Sequence, residues 1–173
     1  NGSFEHCVSI LRANKWNGYL SSMIKQEIQG KLFCICSGFQ SLGVNSEESR
    51  GIKGLGLIDY SFYSVSESFD NSSIINIGRK NISELETGLK FNDLHFDCSL
   101  LLNDLNYPYF AHGYAARINP NRTAHNDKYC YLYSKINNDR FLAGIISKKF
   151  CGTQFHPELS GSLWKRFMIE FFS

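Results

Sequence analysis

A cysteine at the junction of a predicted strand and a predicted helix is the most reactive side chain that the sequence offers. The segment Phe33–Gly43 reads FCICSGFQSLG. Its apolar start predicts a short strand, Ser37-Gly38 predicts a tight turn, and the next residues can begin a helix. This order is typical of a nucleophile elbow, which holds the side chain of Cys36 above the carboxyl edge of a sheet. A helix N-terminus there is expected to lower the pKa of the thiol and to stabilise an oxyanion through backbone N–H groups.

A histidine and a carboxylate stand close together far downstream of this cysteine. Residues 149–160 read KFCGTQFHPELS, in which His156 and Glu158 alternate on one face of an extended segment around Pro157. An imidazole near a thiol can take its proton, and a carboxylate can orient the imidazole through its other nitrogen. The sequence therefore predicts a catalytic triad of Cys36, His156 and Glu158, assembled from distant parts of the chain.

Short motifs along the chain resemble those of the class I glutamine amidotransferases. The family pattern G-x-C-x-G-x-Q corresponds to residues 34–40, with Cys34 in place of the first Gly, and the closing pattern G-x-Q-F-H-P-E is intact at Gly152–Glu158. Residues 109–114 (YFAHGY) and 54–58 (GLGLI) are similar to segments of one branch of the family. That branch is the glutaminase subunit of imidazole glycerol phosphate synthase.

The resemblance implies a three-layer α/β fold of the flavodoxin-like type, with a mostly parallel central sheet in a single domain over residues 1–173. The chain begins with Asn1-Gly2, which looks like the end of a P-G-x-G segment in the family. We therefore expect the first β-α-β unit of the family to be missing.

The local patterns add expectations about individual elements. Apolar spacing in Phe4–Met23 predicts amphipathic helices broken near Gly18. Alternating residues on both sides of 137–139 predict a hairpin. Ser160 is expected to cap a final helix.

The resemblance also implies roles for residues outside the triad. Glu48, twelve residues after Cys36, would hold the ammonium group of bound glutamine. The backbone N–H groups of Gly2 and Ser37 would form the oxyanion hole. The expected substrate-binding residues are Gly2, Gln40, Glu48, Gly113 and Tyr114.

Composition narrows the classes of protein. The chain has 173 residues, of which 43% are hydrophobic, so it can bury one core, and its net charge of +2 does not favour a nucleic-acid partner. No apolar run reaches membrane-spanning length, and no signal peptide is visible. The six cysteines include no C-x-x-C pair, which disfavours zinc. We expect no metal and no cofactor, and a reducing, cytoplasmic location rather than disulfide bonds.

The leading functional hypothesis is a glutaminase subunit that hydrolyses L-glutamine to glutamate and ammonia. The resemblance implies a heterodimer with a (β/α)8-barrel synthase subunit, which receives the ammonia in histidine biosynthesis. Residues 75–80 match the partner-facing motif P-H-x-G-W-N of that branch only at Gly78. A paralogous subunit that serves the modification of surface-polysaccharide sugars therefore stays open, as do a stand-alone γ-glutamyl cysteine hydrolase and a catalytically silent interaction subunit.

Overall fold

The computed structural model describes residues 3–68, 75–87, 101, 107–118 and 128–173, which form short helices and strands. The helices are α1 (Phe4–Ala13), α2 (Asn17–Ile24), α3 (Ser37–Ser41), α4 (Val65–Ser68) and α5 (Ser162–Phe172), with 3-10 turns at Glu47–Ser49 and Pro157–Leu159. The strands are β1 (Leu32–Ile35), β2 (Asn45–Ser46), β3 (Ser61–Ser64), β4 (Asn76–Arg79), β5 (Glu84–Thr87), β6 (Tyr109–His112), β7 (Tyr114–Ala116), β8 (Cys130–Ile136), β9 (Asp139–Ile146) and β10 (Phe150–Thr153). None of these helices is long and apolar enough to cross a membrane.

The largest sheet of the described residues is mixed, with five strands in the order β1-β10-β9-β8-β5. Only the pair of β1 and β10 is parallel within it, and the other neighbours are antiparallel. Two smaller sheets contain β2-β3-β7 and β4-β6. The prediction of a mostly parallel sheet is therefore wrong for the described strands. The connections from β8 to β9 and from β9 to β10 are short. A short turn can join only antiparallel neighbours, because a parallel pair needs a long crossover connection.

Helices cover both faces of this sheet, which confirms the predicted three layers. Alternate residues of β9 enter different clusters, with Phe141 and Ala143 on one face and Leu142 on the other, as the period of a strand requires. The first cluster contains the apolar side chains of α5, namely Trp164, Phe167 and Phe171. The second contains Leu20 and Ile24 of α2 and Phe39 of α3.

The outcomes of the local predictions differ from one element to the next. The hairpin is confirmed, since β8 and β9 meet around Asn137, whose φ is 54°. The break between the first two helices lies earlier than predicted. α1 ends at Ala13, the backbone of Lys15 has a φ of 56°, and Gly18 lies inside α2.

The predicted cap of the last helix is also wrong. The N-cap residue of α5 is Gly161, with a φ of 90° and no side-chain cap. The Ser160 hydroxyl instead donates to the His156 carbonyl and accepts from the Tyr109 N–H. It therefore fixes the backbone of the histidine rather than the end of the helix.

The pair of β1 and β10 brings the two distant motifs together. Ile35 lies opposite Thr153, so the chain leaves both strands at the same edge of the sheet, at Cys36 and at residues 154–156. A Cβ atom on Gly152 would lie 2.3 Å from Cδ2 of Phe39. The absence of a side chain at Gly152 therefore lets α3 rest directly on β10.

Candidate active site

Cys36 occupies a backbone conformation that L-residues rarely adopt, with φ 51° and ψ −113°. Its N–H donates to the Thr153 carbonyl at 2.7 Å, and its carbonyl accepts from the Gln40 N–H at 2.9 Å. The residue is thus tied to β10 on one side and to α3 on the other. Such a strained turn, held by its neighbours, is the strand–turn–helix geometry of a nucleophile elbow.

The thiol of Cys36 has polar contacts with two segments that are distant in sequence. Its Sγ donates to the Ala111 carbonyl oxygen at 3.9 Å, and Nε2 of Gln154 donates to Sγ at 3.8 Å. These contacts hold the sulfur between β6 and the end of β10.

The pKa of the Cys36 thiol is raised, which is opposite to the direction expected from the sequence. Burial is the largest cause, and the nearby carboxylates of Glu48 and Glu158 and the thiol of Cys7 act in the same direction. A hydrogen bond from the Ser37 backbone N–H opposes them. The helix that follows has only five residues, so its terminus does not outweigh the loss of water around the thiol.

His156 and Glu158 form the expected pair. Nδ1 of the imidazole lies 2.8 Å from Oε1 of Glu158. Because a carboxylate can only accept, this contact assigns the proton to Nδ1 and leaves a lone pair on Nε2. His156 is buried, and Nε2 has no hydrogen-bond partner among the residues that the structure describes. The thiol and the imidazole are therefore not hydrogen-bonded to each other in this state, contrary to the expectation for a complete triad.

A cavity of about 500 Å³ opens beside the thiol. Its volume is in the range of pockets that hold small molecules. Most of the residues predicted to bind substrate lie in its wall, although they come from separate elements. The lining residues are Ser3, Cys36, Ser37, Gln40, Glu48, Ser64, Ile75, Ala111, His112, Gly113 and Tyr114.

Glu48 lines this cavity and also contacts the first helix. Its Oε2 accepts a hydrogen bond of 3.1 Å from the N–H of Phe4, at the start of α1. A carboxylate is favourable near a helix N-terminus. One oxygen of Glu48 thus holds α1, and the other is available to a cationic group in the cavity.

Gln40 directs its amide nitrogen into the protein rather than into the cavity. Nε2 donates to the Tyr114 carbonyl and to Oε1 of Gln154, both at 3.0 Å. Both amide hydrogens are used in this way, so only Oε1 of Gln40 remains for a substrate.

His112 supports the strand segment that lines the cavity at Gly113 and Tyr114. Its Nδ1 lies 3.0 Å from the Tyr114 carbonyl oxygen, and its Nε2 lies 2.9 Å from Nδ2 of Asn76. Burial is the main cause that lowers the pKa of His112 to about 3. The imidazole is therefore neutral, and it acts as a fixed link between β4 and the cavity wall.

The remaining predicted positions have different outcomes. Ser37 lies beside the thiol, and its N–H points towards the sulfur. Gly2, the other predicted oxyanion donor, lies outside the described residues. No group of three or more potential metal ligands occurs in the part of the chain that the structure describes.

Gln154 is the site residue to which the sequence analysis gave no role. It belongs to the closing motif and precedes His156 by two residues. Its place in that motif is the signal that could have identified it. Its contact with the sulfur depends on the pairing of β1 with β10, which only the tertiary structure shows.

Comparison with known proteins identifies the class of protein. Residues 18–173 match the family described as glutamine amidotransferase class-I, and the chain belongs to this family. A crystal structure of a glutamine amidotransferase has the same fold, with a TM-score of 0.54 at 14% sequence identity over 95% of this chain and 71% of the other.

Curated relatives point to one branch of the family. The imidazole glycerol phosphate synthase hisHF of Emericella nidulans is 30% identical over 98% of this chain and 29% of its own length. The imidazole glycerol phosphate synthase subunits HisH of Yersinia pseudotuberculosis and Methanocaldococcus jannaschii are each 31% identical over 79% of this chain and 60% of their own length. The chain thus spans no more than 60% of the length of these relatives.

Proposed function

We propose that this chain hydrolyses the side-chain amide of L-glutamine to glutamate and ammonia, with Cys36, His156 and Glu158 as the catalytic triad. The observation that carries the proposal is the thiol of Cys36, which stands on a strained elbow in the wall of a cavity that also contains Glu48. Membership of the glutamine amidotransferase family supports the choice of substrate.

The proposed reaction begins with transfer of the thiol proton from Cys36 to Nε2 of His156. The thiolate attacks the amide carbon of glutamine, and the oxyanion receives hydrogen bonds from Ser37 N–H and from Gly2 N–H. His156 then gives its proton to the leaving nitrogen, the C–N bond breaks, and ammonia departs from a glutamyl thioester. Water attacks this thioester with His156 as the base, which releases glutamate and restores the thiol.

The arrangement of Cys36 and His156 without bound substrate supports an activation step before the thiolate attacks glutamine. The thiol is neutral because its pKa is raised, and it donates to the Ala111 carbonyl rather than to the imidazole. Nε2 of His156 has a lone pair and no hydrogen-bond partner within the described part of the chain. We infer that bound substrate displaces the thiol from Ala111 towards Nε2, which makes the proton transfer possible.

The ammonia acceptor is proposed from the relatives. The HisH names support a subunit of imidazole glycerol phosphate synthase. We propose that this subunit acts in histidine biosynthesis in the cytoplasm. The partner would then be a (β/α)8-barrel synthase subunit that receives the ammonia directly within a heterodimer.

The sequence of β4 supports a second candidate, the paralogous subunit that serves the modification of surface-polysaccharide sugars. β4 occupies the place of the partner-facing motif, and its residues Asn76–Arg79 match that motif only at Gly78. A subunit that docks on a sugar-modifying synthase would need a different sequence at this strand.

Glutamine hydrolysis by the Cys36→Ser variant tests the catalytic proposal. Release of glutamate should fall about a thousandfold or more, because the nucleophile is lost. The matched control is Cys34→Ala, since burial raises the pKa of the Cys34 thiol to about 12 and keeps it unreactive. Full activity of Cys36→Ser, or loss of activity in Cys34→Ala alone, would contradict the assignment.

Addition of the barrel subunit of the same organism's imidazole glycerol phosphate synthase tests the partner. We expect glutamine turnover to rise at least about fivefold, the lower end of typical coupling between sites. High turnover that the barrel subunit does not change would favour a stand-alone hydrolase. No turnover with or without it, together with no labelling of Cys36 by a glutamine-analogue electrophile, would favour a silent subunit.

A further inference from the structure

Two buried glutamines form a chain of hydrogen bonds that ends at the sulfur of Cys36. Gln154 has no exposed surface and Gln40 is 3% exposed. Nε2 of Gln40 contacts the Tyr114 carbonyl oxygen and Oε1 of Gln154, and Nε2 of Gln154 contacts Sγ of Cys36. These hydrogen bonds thus link β7, α3, the end of β10 and the thiol.

The orientation of both amides follows from the first link of this chain. A backbone carbonyl can only accept, so the atom of Gln40 that faces Tyr114 must be the amide nitrogen. The second hydrogen of that nitrogen points to Gln154, whose facing atom must therefore be Oε1. The nitrogen of Gln154 is left facing the sulfur, which makes it a donor to Cys36.

We propose that Gln154 is a positioning residue that orients the Cys36 thiol and stabilises its thiolate. The proposal rests on the proposed role of Cys36 as the nucleophile. A hydrogen bond to a charged acceptor is stronger than one to a neutral acceptor, so the amide of Gln154 favours the ionised sulfur over the neutral thiol.

The surroundings of the sulfur explain why such a donor matters. Glu48 in the first 3-10 turn, Glu158 in the second and Cys7 on α1 all act against the thiolate. His112 also lines the cavity, as a neutral imidazole. The Ser37 N–H acts in the opposite direction, and the Gln154 amide is a further N–H donor that contacts the sulfur.

The backbone around Gln154 keeps this donor at a fixed place. Its N–H donates to the Ala143 carbonyl at 2.8 Å, and the preceding carbonyl, of Thr153, accepts from the Cys36 N–H at 2.7 Å. The donor and the thiol are therefore anchored to the same strand end, and a rotation of the Gln154 side chain is opposed by Gln40.

The test measures the reaction of Cys36 with iodoacetamide as a function of pH, with the label at Cys36 quantified by peptide mass spectrometry. This reaction requires no glutamine, so it remains informative even if the proposed glutaminase activity is absent. Gln154→Met removes the donor at nearly constant volume. Ser134→Ala is the matched control, because its buried hydroxyl donates to the Asn81 carbonyl and Ser134 does not line the cavity.

We expect Gln154→Met to raise the pKa of Cys36 by about one unit, which lowers the thiolate fraction tenfold below that pKa. Because a more basic thiolate is also more nucleophilic, the net rate should fall about threefold to fourfold at each pH below the pKa. Where glutamine is hydrolysed, kcat should fall with KM nearly unchanged. Ser134→Ala should react like the wild type.

A second variant keeps the test decisive if Gln154→Met fails to fold. Gln154→Glu retains an acceptor for Gln40, and as a carboxylate it has no proton to donate to the sulfur. It should react more slowly than the wild type by at least the same factor. Rates equal to the wild type in whichever of the two variants folds, or an equal loss in Ser134→Ala, would overturn the proposal.

Discussion

His156 carries the lone pair that the proposed reaction needs, on a nitrogen that accepts no hydrogen bond from any residue that the structure describes. The carboxylate of Glu158 accounts for the orientation of the ring, since it lies 2.8 Å from the other nitrogen. The backbone adds a second restraint, because the His156 N–H donates to the Tyr109 carbonyl at 2.8 Å. The imidazole is thus held in one tautomer and one direction before substrate arrives.

Replacement of His156 by Asn should lower kcat for glutamine by about 10² to 10⁴, the usual contribution of general acid–base catalysis. The fold should persist, since Asn can still donate to Glu158. The measurement is the rate of glutamate formation, with His6→Asn on the exposed face of α1 as the control. A His156→Asn variant that retains wild-type kcat would exclude the imidazole as the base.

At the scale of elements, the position of the elbow depends on how closely α3 approaches β10. Phe39 packs over Gly152 at a distance that leaves no room for a Cβ atom. Phe39 also forms an edge-to-face contact with Phe62 of β3, with 6.0 Å between the ring centroids. The aromatic ring is thus fixed from two sides and cannot yield easily to a new methyl group.

Gly152→Ala should therefore destabilise the protein by about 1–3 kcal/mol, the usual cost of overpacking a core. It should also lower glutamine turnover, because α3 carries the residues that follow Cys36. Urea denaturation and glutamate release are the measurements. Gly18→Ala is the control: nothing lies within 4 Å of its Cβ position inside α2, so the added helix propensity should stabilise by about 0.5–1 kcal/mol. Equal stability of Gly152→Ala and the wild type would show that the ring can move.

At the scale of the whole molecule, buried ionisable groups make stability depend on pH. Burial lowers the pKa of His112 to about 3, whereas an unfolded histidine titrates near 6.5. Between these values the unfolded chain binds a proton that the folded protein does not. The contribution of the neutral His112 to stability is therefore fully present above pH 6.5 and is lost as the pH falls towards 3.

Because of His112, the free energy of unfolding should fall by about 1.4 kcal/mol per pH unit, or roughly 2 kcal/mol between pH 6.5 and 5. Urea midpoints at both pH values measure it. In His112→Gln this part of the loss should disappear, while His6→Gln should behave like the wild type. The same acid sensitivity in His112→Gln would mean that other groups account for it.

The sequence by itself determined the features that depend on neighbours along the chain. The order of strand, cysteine, turn and helix at residues 32–41, the pairing of His156 with Glu158 and the hairpin around Asn137 were all predicted and are present. Each of these features spans a few residues, so residue type and spacing suffice to specify them. The family resemblance added the three layers and part of the cavity wall, namely Ser37, Gln40, Glu48, Gly113 and Tyr114.

Only the tertiary structure decided the properties that depend on residues distant in sequence. The direction of the Cys36 pKa shift follows from burial and from two carboxylates on other segments, and no local pattern contains that information. The mixed directions of the strands, the inward amide of Gln40 and the contact of Gln154 with the sulfur have the same origin. A hydrogen bond or a charge acts through distance in space, and that distance is fixed only when β1 and β10 pair and bring the two motifs to one edge of the sheet.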